Sequence, residues 1–136
     1  MKSVKVQQYM VSHQQTVKPD MTIYEAAEVI ISNALTGVVV VDDAGKLVGM
    51  LSELDCLQAI VDGVYNDGEP GAARVRDFMT AEVETNSPGD SIIDVAASML
   101  DHKHRRRPIV DNGKLVGQLT CRQILRAIRD FGNKDA

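Results

Sequence analysis

The pentapeptide GKLVG occurs at residues 45–49 and again at residues 113–117, and it belongs to a repeat that covers almost the whole chain. When residues 6–30 are aligned with residues 75–99, matching apolar, threonine and proline positions coincide at an offset of 69, which becomes 68 at GKLVG. A duplication of this length predicts two copies of one structural unit. We assign residues 4–61 to repeat 1, residues 62–73 to a Gly- and Asp-rich linker, and residues 74–131 to repeat 2.

Each copy shows the same order of local signals. Capping-box patterns at Thr22–Glu25 and Ser91–Asp94 precede apolar residues with helical spacing. A short apolar run, turn residues and a second apolar run then predict a β-hairpin. A second helix is expected to begin at Ser52 in repeat 1 and at Thr120 in repeat 2.

With a very short first strand near Val17 or Thr85, each copy is predicted to form a β-α-β-β-α unit. One unit of about 55 residues would be only marginally stable alone. We therefore expect an α+β fold in which two such units, related by a pseudo-twofold axis, pack sheet to sheet.

Composition narrows the class of protein. The chain has 136 residues, 44% of them hydrophobic, and a formal net charge of −4, which argues against a general nucleic-acid-binding protein. No apolar run approaches the roughly 18 residues of a membrane span, and the N-terminus lacks the apolar core of a signal peptide, so we expect a cytoplasmic protein without a membrane partner. Cys56 and Cys121 form no CxxC motif, His102 and His104 would face apart on a helix, and no metal site is predicted.

The order of motifs resembles the CBS domain, named after cystathionine β-synthase. The resemblance rests on P-x-x-[ST]-[IV] before the first helix, PIVD at 108–111, and GKLVG followed by Ser or Thr, and it extends over residues 4–131. Two such domains in tandem resemble a Bateman module. The resemblance implies a regulatory sensor of an adenine nucleotide (AMP, ADP or ATP), with two clefts between the repeats, no catalytic cofactor, an unidentified regulated protein and a tendency to form a homodimer. Apolar residues near Leu57 and Leu125 would be covered in that dimer.

The family's ribose-binding motif is G-h-x-[ST]-x-x-D, and repeat 1 matches it from Gly49 to Asp55. A carboxylate can accept hydrogen bonds from both hydroxyls of a ribose, and a helix N-terminus with a serine can bind phosphate. Ser-x-x-Asp is equally an N-cap pattern that needs no ligand. In repeat 2, Thr120 and Gln123 retain the capping function but not the carboxylate, which places a second binding cleft in doubt.

The second distinctive stretch is HKHRRRPIV at 102–110, where repeat 1 has the uncharged NALTGVVVV. The resemblance implies that each cleft combines the motif of one repeat with the first strand and basic residues of the other. Carried over by position, the ligand-binding residues are Met50, Ser52, Asp55, Val83, Arg105, Arg106 and Arg122.

Three other functions are weighed against this one. A structural dimerisation module with no ligand is the main alternative. A nucleic-acid contact through Lys103–Arg107 is disfavoured by the acidic net charge and by the scarcity of aromatic side chains for base stacking. An enzyme is disfavoured because the chain has no P-loop, GxGxxG, HExxH or nucleophile–base pattern.

Overall fold

The computed structural model describes residues 1–66 and 68–131, and the chain folds into two compact units. The repeat-1 unit comprises Gln15–Val83, and the repeat-2 unit comprises Met1–Gln14 together with the chain from Glu84 onward. Each unit contains helices and a small sheet. The predicted α+β class is confirmed.

The repeat-1 unit has a three-stranded sheet and three helices. Strand β1 is parallel to β2, and β2 is antiparallel to β3, so the sheet order is β1-β2-β3. In chain order the elements are β1 (Thr16–Val17), α1 (Ile23–Ser32), β2 (Gly37–Val41), β3 (Leu47–Ser52), α2 (Glu53–Tyr65) and α3 (Val75–Phe78).

Helix α1 begins where the capping box predicts. The Thr22 hydroxyl accepts a hydrogen bond from the Glu25 amide, and the Glu25 carboxylate accepts one from the Thr22 amide, each at 3.1 Å. The apolar face of the helix buries Ile23, Ala26 and Ile30 against the valines of β2. These contacts supply most of an aliphatic core.

The repeat-2 unit is built from the same hairpin and helices. A 3₁₀ turn at Val6–Gln8 packs in its core, and β4 is antiparallel to β5. Its remaining elements are α4 (Ile92–His102), β4 (Arg106–Asp111), β5 (Lys114–Thr120) and α5 (Cys121–Phe131).

Two predictions for repeat 2 are wrong. No strand forms near Thr85, and only a single parallel bridge joins Asn86 to Ile109, because Asn has a poor β propensity where repeat 1 has the buried Val17. The cap at Ser91 also fails: its side chain makes no capping hydrogen bond, and its Oγ is buried without a partner among the described residues. Asp90 instead accepts a hydrogen bond from the Ser87 amide, which is the main cause of its lowered pKa.

The segment predicted as a linker, 62–73, contains local structure on both sides of Asp67, which lies outside the described residues. Helix α2 continues through Tyr65, and the Asn66 side chain donates to the Asp62 carbonyl at 2.8 Å where the helix ends. Two carbonyls of this segment accept hydrogen bonds from the first turn of α1. The Ile23 amide donates to the Ala73 carbonyl at 2.8 Å, and the Tyr24 amide donates to the Gly71 carbonyl at 3.0 Å.

In each unit the core includes the first residues of the other repeat. The Val6 amide donates to the Asp90 carbonyl, and the Val75 amide donates to the Met21 carbonyl, each at 2.9 Å. Val6 and Val75 are fully buried. The residues that form a unit in space are therefore not the same set as the residues that form a repeat in sequence.

The last glycine of each GKLVG explains why the motif is repeated. A Cβ on Gly49 would lie 2.9 Å from the Thr80 carbonyl oxygen, and one on Gly117 would lie 2.8 Å from the Val11 carbonyl oxygen. These glycines let an extended segment approach and pair with the hairpin. Among the described residues, no helix combines the length and the apolar composition needed to cross a bilayer.

We expect Gly49→Ala to lower the free energy of unfolding by about 1–3 kcal/mol, because the new methyl group meets a backbone carbonyl that cannot move aside independently. Gly89→Ala is the matched control, since nothing lies within 4 Å of the Cβ position there. Urea unfolding followed by circular dichroism measures both. Equal stabilities for the two variants would contradict the close-packing argument.

Candidate functional site

Ser52 and Asp55 form a reciprocal cap at the start of α2. The Ser52 hydroxyl accepts from the Asp55 amide at 3.1 Å, and Asp55 Oδ2 accepts from the Ser52 amide at 2.9 Å. The capping interpretation of Ser-x-x-Asp is thus confirmed. It occupies only one of the two carboxylate oxygens: Oδ1 of Asp55 accepts no hydrogen bond from the residues the structure describes. Capping and ribose binding are therefore compatible in this carboxylate.

The corresponding helix start in the repeat-2 unit differs in its chemistry. Gln123 Oε1 accepts from the Thr120 amide at 3.0 Å and also from the Thr120 hydroxyl. Gln123 is buried, and its remaining polar group is an amide that can only donate. A ribose hydroxyl needs an acceptor here to mimic the repeat-1 arrangement, and Gln123 has none left.

Met50 is held by backbone pairing on β3. Its amide donates to the Thr80 carbonyl and the Thr80 amide donates to its carbonyl, both at 2.9 Å. Val83 is half-buried at the end of the same unit. Four of the predicted ligand-binding residues therefore lie in the repeat-1 unit: Met50, Ser52, Asp55 and Val83.

The three predicted arginines lie at one end of the repeat-2 hairpin. Arg106 begins β4 directly opposite Thr120, and the Arg105 carbonyl accepts from the Cys121 amide at 3.3 Å. Arg122 is exposed in the first turn of α5. Burial lowers the pKa of Arg106. Backbone pairing therefore places residues 105 and 106 next to the first residues of α5, where a helix N-terminus favours negative charge.

The burial of Arg107 is not predicted by the sequence analysis, which places this residue in one basic stretch with its neighbours. It is 1% exposed, and its Nη1 donates to Asn86 Oδ1 at 2.7 Å and to Ser98 Oγ at 3.1 Å. Its buried Nε has no hydrogen-bond partner among the described residues. Burial lowers its pKa, and Glu84 opposes that effect. Strand alternation was the available signal, since adjacent residues of β4 point to opposite faces.

The expectation that His102 and His104 face apart is wrong. Helix α4 ends at His102, and Lys103 adopts a left-handed conformation with φ of 58° that reverses the chain. The two imidazoles consequently stack with centroids 5.3 Å apart. Burial lowers the pKa of His104, Arg107 and His102 add to that effect, and Glu84 opposes it.

Comparison with known proteins identifies what this arrangement resembles. The family model for the CBS domain matches residues 6–62 and 75–130. The CBS domain-containing protein YhcV of Bacillus subtilis is 32% identical over 131 residues, covering 96% of this chain and 89% of YhcV. The uncharacterized protein MJ1225 of Methanocaldococcus jannaschii is 29% identical over 113 residues, and the match covers 83% of this chain but only 39% of MJ1225.

A solved structure gives a close likeness in three dimensions. The crystal structure of CBSX2 in complex with AMP, a CBS-pair protein of Arabidopsis thaliana, is 30% identical with a TM-score of 0.82. The match covers 94% of this chain and 98% of that chain.

We expect the protein to lose stability as pH falls from about 7.5 to about 5.5, because the pKa of His104 lies below its ordinary value of about 6.5 and the unfolded state therefore binds more protons. His104→Asn should flatten this part of the stability–pH curve. Urea midpoints measured across the pH range test it. An unchanged slope in the variant would show that His104 does not carry the effect.

Proposed function

Because this chain belongs to the CBS domain family, we propose that it is a regulatory module that binds one phosphorylated adenosine (AMP, ADP or ATP) and transmits binding to another protein. The observation that carries the proposal is the difference between the two capped helix starts. Asp55 retains one carboxylate oxygen for a ligand, whereas Gln123 retains only a donor.

The ribose is proposed to bind at α2. Asp55 Oδ1 accepts from a ribose hydroxyl while Oδ2 keeps the helix cap, so binding does not have to break an existing hydrogen bond. Hydrogen bonds to a charged carboxylate contribute about 1.5–3 kcal/mol each. Met50 and Val83 supply apolar surface for the adenine ring.

The phosphate is proposed to bind the arginines of the repeat-2 hairpin. Arg106 pairs with Thr120, the Arg105 carbonyl accepts from the Cys121 amide, and Arg122 lies in the first turn of α5, so all three are close in the backbone to the N-terminus of α5. Guanidinium groups match phosphate geometry and hold it by two parallel hydrogen bonds. The AMP complex of CBSX2 supports an adenine nucleotide as the ligand class.

The proposed module acts as a homodimer without catalysis. Leu57 of α2 and Leu125 of α5 are 56% and 65% exposed, respectively, and association would cover both. A tandem CBS pair occupies residues 6–130, and the matched segment offers none of the common catalytic motifs.

A structural dimer that binds no nucleotide is the second candidate. It is favoured by one observation: the Ser52–Asp55 cap is complete without any ligand. Calorimetric titration with AMP, ADP, ATP and adenosine separates the two candidates. A ligand with a Kd of about 10 μM should add about 2.7 kcal/mol of stability at millimolar concentration, so no binding heat and no rise in melting temperature with any of the four would identify the structural dimer.

We expect Asp55→Asn to weaken AMP, ADP and adenosine alike by about 1.5–3 kcal/mol, because the carboxylate charge is lost while the amide oxygen can still cap α2. Gln123→Ala is the control, and it should leave these affinities unchanged. Titration calorimetry measures both variants. Full binding by Asp55→Asn together with loss of binding by Gln123→Ala would mean that repeat 2 supplies the ribose site.

We expect Arg106→Gln to weaken phosphorylated ligands at least about tenfold and to leave adenosine nearly unaffected, because its contact is with the phosphate. S-adenosylmethionine should bind less well than ATP, since its sulfonium would face the same cations. Competition titrations against adenosine test both points. An equal loss for AMP and adenosine would contradict a phosphate role for Arg106.

A further inference from the structure

The buried guanidinium of Arg107 connects one segment of the repeat-2 unit to strand β4. Its Nη1 donates to Asn86 Oδ1 at 2.7 Å, and the backbone of Asn86 is itself paired with β4. The Asn86 amide donates to the Pro108 carbonyl at 3.2 Å, and the Val110 amide donates to the Asn86 carbonyl at 2.9 Å. The Asn86 side chain also donates to Asp90 at 2.8 Å, so these contacts hold residues 86–90 as a group on β4.

One nitrogen of this guanidinium depends on an imidazole for its acceptor. Arg107 is buried, and its Nε has no hydrogen-bond partner among the described residues. Its Nη2 lies 3.5 Å from Nδ1 of His104. Because a guanidinium only donates, Nδ1 of His104 must be the unprotonated ring nitrogen in this contact. A proton on Nδ1 would therefore remove the acceptor and place a second positive charge next to a buried one.

The neighbouring imidazole of His102 favours the opposite protonation state. Its Nδ1 lies 2.8 Å from the Ser98 carbonyl oxygen, so this nitrogen carries the proton when the ring is neutral. Its Nε2 lies 3.8 Å from Glu84 Oε1, so a charged His102 has an acceptor near each ring nitrogen. The rings of His102 and His104 stack with their centroids 5.3 Å apart. A positive charge on His102 consequently opposes a second one on His104.

The charge of His104 is thus controlled from three parts of the unit. Burial is the largest cause of its lowered pKa, Arg107 of β4 and His102 of α4 lower it further, and Glu84 opposes them. Because the folded stack binds a proton less readily than an exposed imidazole, it is stable above about pH 6.5 and weakens as the pH falls below that value. Hydrogen bonding lowers the pKa of Asp90, so that carboxylate stays charged in this range.

We propose that the stacked imidazoles and Arg107 form a pH-sensitive clasp, which holds residues 86–90 on β4 at neutral pH and releases them on acidification. When His104 takes up a proton, repulsion from Arg107 and His102 drives its ring out of the stack. The buried guanidinium is then held through Nη1 alone. Because unsatisfied donors on a buried cation are costly, opening of the segment to water becomes more favourable.

The repeat-1 unit has none of the residues of this clasp. In the repeat alignment, the positions of the two histidines and the arginine are occupied by Asn33, Leu35 and Val38, none of which titrates. Strand β1 pairs with β2 at the equivalent place in that unit. The clasp therefore gives a pH response to one unit only, and the other unit serves as an internal control.

Amide hydrogen exchange, measured residue by residue with NMR on the wild-type protein, tests the clasp without any ligand. Each rate is divided by the intrinsic rate at the same pH, because the exchange chemistry itself depends on pH. Between about pH 7.5 and about pH 5.5, the protection of the Asn86 and Val110 amides should fall at least about fivefold. The protection of the β2 amides should change by less than about twofold.

A pair of variants assigns the response to one side chain. His104→Asn removes the titrating group and keeps a side-chain oxygen that can accept from Arg107, so the protection of Val110 should become independent of pH over this range. His13→Asn is the matched control, because His13 is an exposed histidine of the same unit outside the cluster. It should retain the wild-type fall in protection. Circular dichroism verifies that both variants are folded.

Four results would overturn the inference: unchanged protection of Asn86 and Val110 on acidification, an equal loss in β2, a full pH response in His104→Asn, or a lost response in His13→Asn. An equal loss in β2 would mean that acid opens the whole chain rather than residues 86–90. If His104→Asn does not fold, the comparison of the two units in the wild-type chain still decides the question. None of these measurements involves a nucleotide, so their outcome is independent of the proposed function.

Discussion

The close approach at Gly49 and Gly117 is the contact on which the rest of each unit depends. In both units an extended segment pairs with the second strand of the hairpin through two backbone hydrogen bonds of 2.9 Å, Met50 with Thr80 and Gln118 with Val11. A side chain at either glycine would overlap a backbone carbonyl. Because the paired segment comes from the beginning of the other repeat, this contact ties residues 1–14 and 75–83 into cores that the local sequence does not suggest.

In each unit the second strand of this hairpin is followed directly by a helix. Ser52 ends β3 and caps α2, and Thr120 ends β5 just before α5. The direction of the strand therefore decides where the cap and its carboxylate lie. The helix cap in repeat 1 uses one carboxylate oxygen of Asp55, and the proposed function assigns the other oxygen to the ligand. In repeat 2 the Thr120 amide still donates to Gln123 Oε1, but Gln123 has no second acceptor oxygen corresponding to Oδ1 of Asp55.

The basic stretch shows how a run of identical residues is divided by strand geometry. Arg105 is exposed and Arg106 is half-buried, whereas Arg107 is buried and donates to Asn86 and Ser98. The buried guanidinium is bonded to the side chain of Asn86, whose backbone forms the isolated bridge to Ile109 of β4. It also lies beside the imidazole of His104. A buried cation is costly unless its donors are satisfied, and these hydrogen bonds offset that cost for Nη1. Arg106, which we propose as a phosphate ligand, therefore lies on the same strand as the buried Arg107.

The sequence by itself determined the duplication, the α+β class, the hairpins and the cap at Thr22, because these follow from periodicity and from hydrogen bonds between residues three apart. It did not determine the failed cap at Ser91, the missing strand near Thr85 or the stacking of His102 on His104. Those features depend on the contacts that Asn86 and Asp90 make in the folded chain and on the left-handed backbone conformation of Lys103. Tertiary structure alone decided which segment completes each core and which arginine is buried, since both depend on contacts between residues far apart in sequence, which local pattern does not encode.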